Sequence, residues 1–367
     1  MVLQLGRRDA RRLAVRAQLL ASPRPTDVLD VVRRLSVVQV DMTAHVAPSA
    51  DLVLWSRIGA SYDPDELDRL FEDRRVLELD GLFRPSEDLA LFRAQMRAWP
   101  GPPPLTEWME DVSDWLDANR ECHDDVIALL RSEGPLSTRD LPDTCVVPWR
   151  SSGWNDDRNT RMLVGLLEAR GEVAVAAREG RERLWDLADR VHPETPTVPF
   201  PEAVAERNRR RLRALGIARA RTTQHPLEPN DVGDAGEAAA VEGVRGAWRV
   251  DPELLDQTFR GRTALLSPLD RLVADRKRMA ELFEFDYQLE MYKPKAARKW
   301  GYWALPVLHG DALVGKVDAT ADRDRGELRV DAVHWDEQSP AAAAVEGVER
   351  ELRSLARWLG LELVRPG

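Results

Sequence analysis

Val173-Ala174-Val175-Ala176, then Arg178-Glu179-Gly180-Arg181, then Leu184-Trp185-Asp186-Leu187 alternates apolar residues on either side of a glycine turn. That is the pattern of a β-hairpin with a basic tip. Ahead of it, Asn155 to Ala169 sets Met162, Leu163, Leu166 and Leu167 at helical spacing, with Arg158, Asn159 and Arg161 on the opposite face, and stops at Gly171. Further back, Asp124 to Arg131 reads as a helix closed by Gly134, and Leu136 to Leu141 as a short turn-helix capped by Ser137. Helix, short helix, longer helix and hairpin is the order of a winged helix-turn-helix. The Asn155 helix takes the recognition position, with Arg178, Arg181 and Arg183 on the wing.

Outward from this unit the same order recurs. Gly6 to Gln18, a helix started by Asp27, a helix ending at Gly59 and one beginning at Asp63-Pro64 precede the alternating pair around Arg75–Leu79 and Gly81–Pro85. The proline-rich stretches Trp99–Pro104 and Pro196–Pro201 read as linkers. An arginine-rich helix, Ala203–Leu215, and the run Val241–Val250 suggest a third, shorter unit. From Thr263 the pattern turns to strands: Phe285–Tyr292, Tyr302–Leu308, Ala312–Asp318 and Glu327–Trp335, closed by a helix over Ala342–Leu359. The expected fold is α+β: three tandem winged helices (1–98, 105–193, 200–260) and a small C-terminal antiparallel β-barrel or sheet (261–367).

The 367 residues, 43% hydrophobic and 32% charged, suit a multi-unit globular chain. No apolar run approaches a membrane span, which predicts a cytoplasmic protein. Two cysteines, Cys122 and Cys145, suggest neither a metal cluster nor a disulfide framework. A net charge of −10 argues against indiscriminate coating of nucleic acid. Arginines are nevertheless concentrated in three zones: before Val40, across Ala203–Arg221, and across Arg271–Lys299. Such clusters point to a localised track for phosphate.

Within Leu35-Ser36-Val37-Val38-Gln39-Val40-Asp41-Met42, two polar residues interrupt an apolar run at a spacing of two. In an extended segment they project from one face, so an amide and a carboxylate act together. The plain rival is a solvated strand end, or Asp41 as the cap of the following helix.

Two dense signatures lie near the C-terminus: Leu265-Leu266-Ser267-Pro268-Leu269-Asp270-Arg271-Leu272-Val273-Ala274-Asp275-Arg276-Lys277-Arg278, and Gly301-Tyr302-Trp303-Ala304-Leu305-Pro306-Val307-Leu308-His309-Gly310-Asp311. With Gln39-Val40-Asp41 and Leu54-Trp55-Ser56-Arg57-Ile58-Gly59, they resemble the winged-helix DNA glycosylases of the AlkZ/YcaQ type, the crosslink-unhooking family, over nearly the whole chain. The resemblance implies a monofunctional glycosylase that needs no cofactor or metal. It also implies damaged double-stranded DNA as partner, and Gln39 and Asp41 in the catalytic position. Part of the family follows the strand near Glu78 with an aromatic-x-x-His segment; here Glu78-Leu79-Asp80-Gly81-Leu82-Phe83-Arg84 has no histidine. Either His45 substitutes from another loop, or the lesion differs, or the chain is a non-catalytic winged-helix DNA binder acting as a regulator or damage sensor.

The expected phosphate contacts are Arg57, Arg84, Asn155, Arg158, Arg161, Arg178 and Arg181 on a monomer. An N7-alkylated guanine is already cationic and leaves without a general acid. Catalysis then reduces to placing a water at C1′ and stabilising an oxocarbenium-like sugar. Asp41 suits the base or counter-charge, and Gln39 suits orienting the water.

Overall fold

The computed structural model describes residues 2–101, 103–150, 158–222 and 228–365. The chain divides into two compact units, one made of Met1–Leu67 with Arg207–Gly367 and the other of Asp68–Glu206. No helix among the described residues is long and apolar enough to cross a membrane.

The first unit is discontinuous in sequence because strand Leu3–Leu5 pairs in parallel with Glu237–Val241. That strand runs antiparallel to Val244–Val250, which pairs in turn with Ile217–Arg219. The N-terminal segment, expected to belong to a first consecutive winged helix, thus completes the sheet of the presumed third. Helix Arg7–Ala17 turns Ala10, Leu13, Ala14 and Val15 inward against Ile217, Trp248 and Val250, and the same core continues into Leu272, Met279, Leu282 and Phe283. Burial of this shared apolar stripe holds the distant segments together.

A second sheet in this unit runs in the order Arg262–Leu265, Leu305–Gly310, Ala312–Asp322, Glu327–Trp335 and Glu362–Val364. The first four strands are antiparallel neighbours and the last is parallel. The sheet curls as a half-barrel. Helix Ala342–Leu359 lies against it, and Gly347 permits the contact, since a Cβ there would sit 2.1 Å from Thr263 Oγ1.

Phe285–Tyr292, expected as a strand, joins no sheet. Its alternation serves another end. Phe285, Tyr287 and Trp300 stack in sequence at 6.2 and 6.0 Å, and the buried Glu290 carboxylate accepts the N–H groups of Lys299 and Trp300 at 2.7 and 2.8 Å.

Helix Ser49–Ile58 carries an apolar surface on nearly every side, and only Asp51 escapes full burial. Arg57 nevertheless lies on it with no exposed surface. Its guanidinium donates to both Asp270 oxygens, to Gln18 O at 3.0 Å and to Ser56 Oγ at 2.8 Å. Asp270 also caps helix Arg271–Ala274 through Leu272 N–H, Asp275 caps Arg276–Phe283 through Arg278 N–H, and buried Arg278 donates to Leu215 O and Ile217 O. The Leu265–Arg278 signature is therefore an internal brace.

In the second unit, strands Val76–Leu79 and Leu82–Pro85 form a hairpin turning at Asp80-Gly81, both with positive φ. Helices Glu107–Ala118 and Arg120–Glu133 follow, then strand Leu136–Ser137, helix Asn159–Ala169, and the hairpin Val173–Glu179/Glu182–Leu187. Leu136–Ser137 adds to that hairpin as a third strand. The segment from Ser137 is not the expected turn-helix: Ser137 Oγ donates to Asp140 Oδ2 at 2.7 Å and closes a tight turn instead.

Candidate active site

Val38–Gln39 is a short strand, and the chain leaves regular structure through Val40–Ala44. Asp41 is half-buried. Its Oδ1 accepts the Thr43 N–H at 2.7 Å, the one hydrogen bond to its carboxylate among the described residues. No cation pairs with it there. The helix Ser49–Ile58 draws on the Asp41 main chain, whose carbonyl accepts Ser49 N–H at 3.0 Å; the carboxylate is not its cap. The Gln39 amide is likewise unengaged and half-buried among the described residues. Both side chains keep hydrogen-bonding capacity for a ligand or water.

The loop that follows is fastened to strand Ala312–Asp322. His45 O accepts Ala321 N–H at 3.0 Å, and Arg323 donates to Val46 O at 3.1 Å. The His45 ring meets Thr320 Oγ1 through Nε2 at 3.0 Å and lies 4.8 Å from the Tyr302 ring. Burial, then the guanidinium groups of Arg329 and Arg298, hold its pKa below the usual imidazole value, with Asp331 opposing. The imidazole is therefore neutral at neutral pH. A neutral ring can stand near a cationic base without repelling it.

Tyr302 also carries Arg298 over its face at 4.9 Å. Asp318, on the same strand as Thr320, is half-buried, and burial followed by Asp331 raises its carboxyl pKa against His334, Arg329 and Arg298. Gly301, at φ +120°, abuts it; a Cβ there would lie 2.1 Å from Asp318 Oδ1. Thr320, Tyr302 and Asp318 were not singled out as site residues. Thr320 and Asp318 lie on strand Ala312–Asp322 and Tyr302 just before strand Leu305–Gly310, all far from Gln39 in sequence, and only the Tyr302 signature hinted at them.

The arginines divide sharply. Arg57 is buried against Asp270 and cannot meet phosphate, so its assignment as a DNA contact is corrected. Arg84 is only 6% exposed and stacks its guanidinium 4.7 Å from the centre of the Phe92 ring, which also removes it from the surface. Arg178 is bidentate to Glu78 at 2.6–2.9 Å, with Arg183 donating to the same carboxylate at 2.6 Å. Its charge is spent on a buried acid. Arg158 and Arg161, at the start of helix Asn159–Ala169, and Arg181, in the hairpin turn, are exposed. Asn155 lies outside the described residues.

Part of the charge in the basic zones is paired from within the chain. Arg8 and Arg12 meet Asp311 at 3.2 and 3.3 Å, Arg219 meets Glu281 at 2.6 Å, and Arg211 meets Glu228 at 3.1 Å. The chain carries ten excess negative charges, and some of its carboxylates are held by these arginines. A count of arginines therefore overstates the phosphate-binding surface.

In the second unit, Glu168 lies beside this acid–arginine group and accepts Asp80 N–H at 3.1 Å. Burial raises its pKa to about 7, reinforced by Glu78 and Asp80 and opposed by that hydrogen bond and by Arg183.

The family model described as "DNA glycosylase AlkZ-like" matches residues 32–358. Among solved structures, the Streptomyces sahachiroi DNA glycosylase AlkZ is similar with a TM-score of 0.65 and 18% identity, covering 99% of this chain and 100% of that one. At that identity the structural likeness speaks to the fold, and the match along most of the chain speaks to descent. The chain belongs to the AlkZ-like family of DNA glycosylases.

Proposed function

We propose that this glycosylase hydrolyses the N-glycosidic bond of N7-alkylated purines, including those within interstrand crosslinks. The observation that carries the reading is Asp41: a half-buried carboxylate with one short local hydrogen bond, no cationic partner among the described residues, and an unengaged amide two residues before it. Cleavage releases the alkylated base with the bonding electrons, which discharges its positive charge. Water then adds at C1′ and its proton passes to Asp41, while Gln39 orients that water. Before the water adds, the Asp41 charge also stabilises the oxocarbenium-like sugar. Neutral His45 adds no charge that would repel a cationic base. No lysine lies near Gln39-Val40-Asp41 in sequence, and on this reading the product is an abasic site without strand nicking.

On this reading the chain is a monomer acting on duplex DNA through winged helices. In the second unit the order helix, helix, strand, helix and hairpin supports one such module, with Arg158, Arg161 and Arg181 meeting phosphates. A crosslinked base cannot be turned into a tight pocket as an ordinary damaged base is, so the site must accept its base without full enclosure.

The test is a duplex carrying one N7-methylguanine, incubated with wild type, Asp41→Asn and Gln39→Ala. Free base released by wild type and lost in Asp41→Asn is the expected result. Intact DNA binding with no base released from this duplex or from a nitrogen-mustard crosslink overturns the proposed substrate.

A further inference from the structure

In the second unit, the segment Asp143–Trp149 is tied down at several points. Thr144 Oγ1 donates to Asp125 Oδ2 at 2.7 Å, and Val147 exchanges hydrogen bonds with the Asn119 amide at 3.0 and 3.1 Å. Trp115 Nε1 donates to Val147 O at 2.9 Å, and Trp149 N–H donates to Asn159 Oδ1 at 2.6 Å. The other side of the Asn159 amide donates to both Asp143 oxygens, at 3.0 and 3.1 Å. These ties hold the half-buried Cys145 with its Sγ 2.7 Å from Sγ of Cys122, which is fully buried on helix Arg120–Glu133.

Asp143 completes a trio whose ligand atoms lie within 4.8 Å of one another, yet a metal does not fit it. Two thiolates bound tetrahedrally to zinc at about 2.3 Å stand about 3.8 Å apart, and both Asp143 oxygens are engaged by Asn159. The thiols lie instead well inside ordinary sulfur–sulfur contact. A further approach of less than about 1 Å brings them to bonding distance, with the backbone on both sides already fixed.

We propose that Cys122 and Cys145 form a modification site: an intramolecular disulfide made by exchange with a low-molecular-weight disulfide. Cys145, the accessible partner, attacks the small disulfide as its thiolate and expels one small thiol. Cys122 then attacks the Cys145 sulfur and expels the second. The protein loses two protons and two electrons, and the small disulfide takes up both as it becomes two thiols. Burial, then the hydrogen bond with Cys122, raises the Cys145 pKa, so exchange accelerates as pH rises above neutral. The bond covalently fixes the segment that anchors Asn159, the first residue of the helix carrying Arg161. The pairing stands independently of the substrate proposed above.

The experiment treats the full chain with oxidised glutathione, blocks free thiols in acid, and reads intact and non-reduced peptide masses. The expected result is a monomer lighter by two hydrogens, free of glutathione, with one peptide joining Cys122 to Cys145, reversed by reductant. Cys122→Ser should instead retain a glutathione adduct on Cys145. Full alkylation of both thiols, a stable wild-type adduct at Cys145, or disulfide-linked dimers overturns the proposal.

Discussion

Asp270→Asn removes the charge facing Arg57 while keeping the side chain's shape. In the wild type that guanidinium has no exposed surface and donates to both Asp270 oxygens, with the Gln18 carbonyl and Ser56 Oγ taking other protons. The substitution leaves a cation in the interior among neutral acceptors, the situation in which breaking a buried pair costs about 3–5 kcal/mol. For a body of a couple of hundred residues, at about 2–4 °C per kcal/mol, the melting temperature should fall on the order of 10 °C. Far-ultraviolet circular dichroism during heating measures it. The double variant Arg57→Met, Asp270→Leu removes both charges and should recover part of the loss, the remainder reflecting the lost cap on Leu272 N–H. It should also bind duplex DNA with the wild-type salt slope, whereas loss of a phosphate contact lowers that slope by about 1. Asp270→Asn melting within about 2 °C of wild type, or a shallower slope in the double variant, refutes the structural role given to Arg57.

Glu168 binds its proton more tightly when folded, so its contribution to stability is present below the ordinary carboxyl pKa and is lost as pH rises through about 7. Glu168→Gln should therefore stabilise the chain at pH 8 by up to about 3 kcal/mol, and urea titrations at pH 4 should show the advantage gone. His192 behaves oppositely: burial, then Arg93 and Arg74, lowers its pKa to about 4, and neither ring nitrogen has a hydrogen-bond partner among the described residues. Stability should fall as pH drops from about 6.5 towards 4, and His192→Leu should flatten that part of the melting profile. Arg161→Ala and Arg181→Ala should each weaken duplex binding uniformly across sequences and lower the salt slope by about 1; unchanged slopes remove these residues from the interface.

Local signals were legible wherever one segment decides its own structure. Asp27 caps Val28–Leu35, Gly59 ends Ser49–Ile58, and the strand Glu327–Trp335 and helix Ala342–Leu359 fall where alternation and helical period put them. The extended Gln39 was readable for the same reason. What pattern could not supply was the partner. Leu3–Leu5 is too short to announce a strand whose neighbour lies beyond residue 230. Arg57 reads as a surface cation until Asp270 is brought to it, and Arg178 as a wing contact until Glu78 is. Cys122 and Cys145 look solitary because the segment carrying Cys145 is brought to Cys122 through Trp115, Asn119, Asp125 and Asn159. Charge and thiol chemistry depend on neighbours, whereas caps and periods travel with the segment.

The parallel pairing of Leu3–Leu5 with Glu237–Val241 also orders events during synthesis. At about 5–20 residues per second, the ribosome needs on the order of ten to fifty seconds to make the second strand after the first has been polymerised. Throughout that interval the N-terminal helix has no sheet to cover, and its apolar stripe of Ala10, Leu13 and Ala14 waits in the open. The inserted residues 68–206 emerge contiguously and hold their own strand pairs, so they are free to consolidate first. During synthesis, then, residues 68–206 can consolidate before the first unit's sheet is complete.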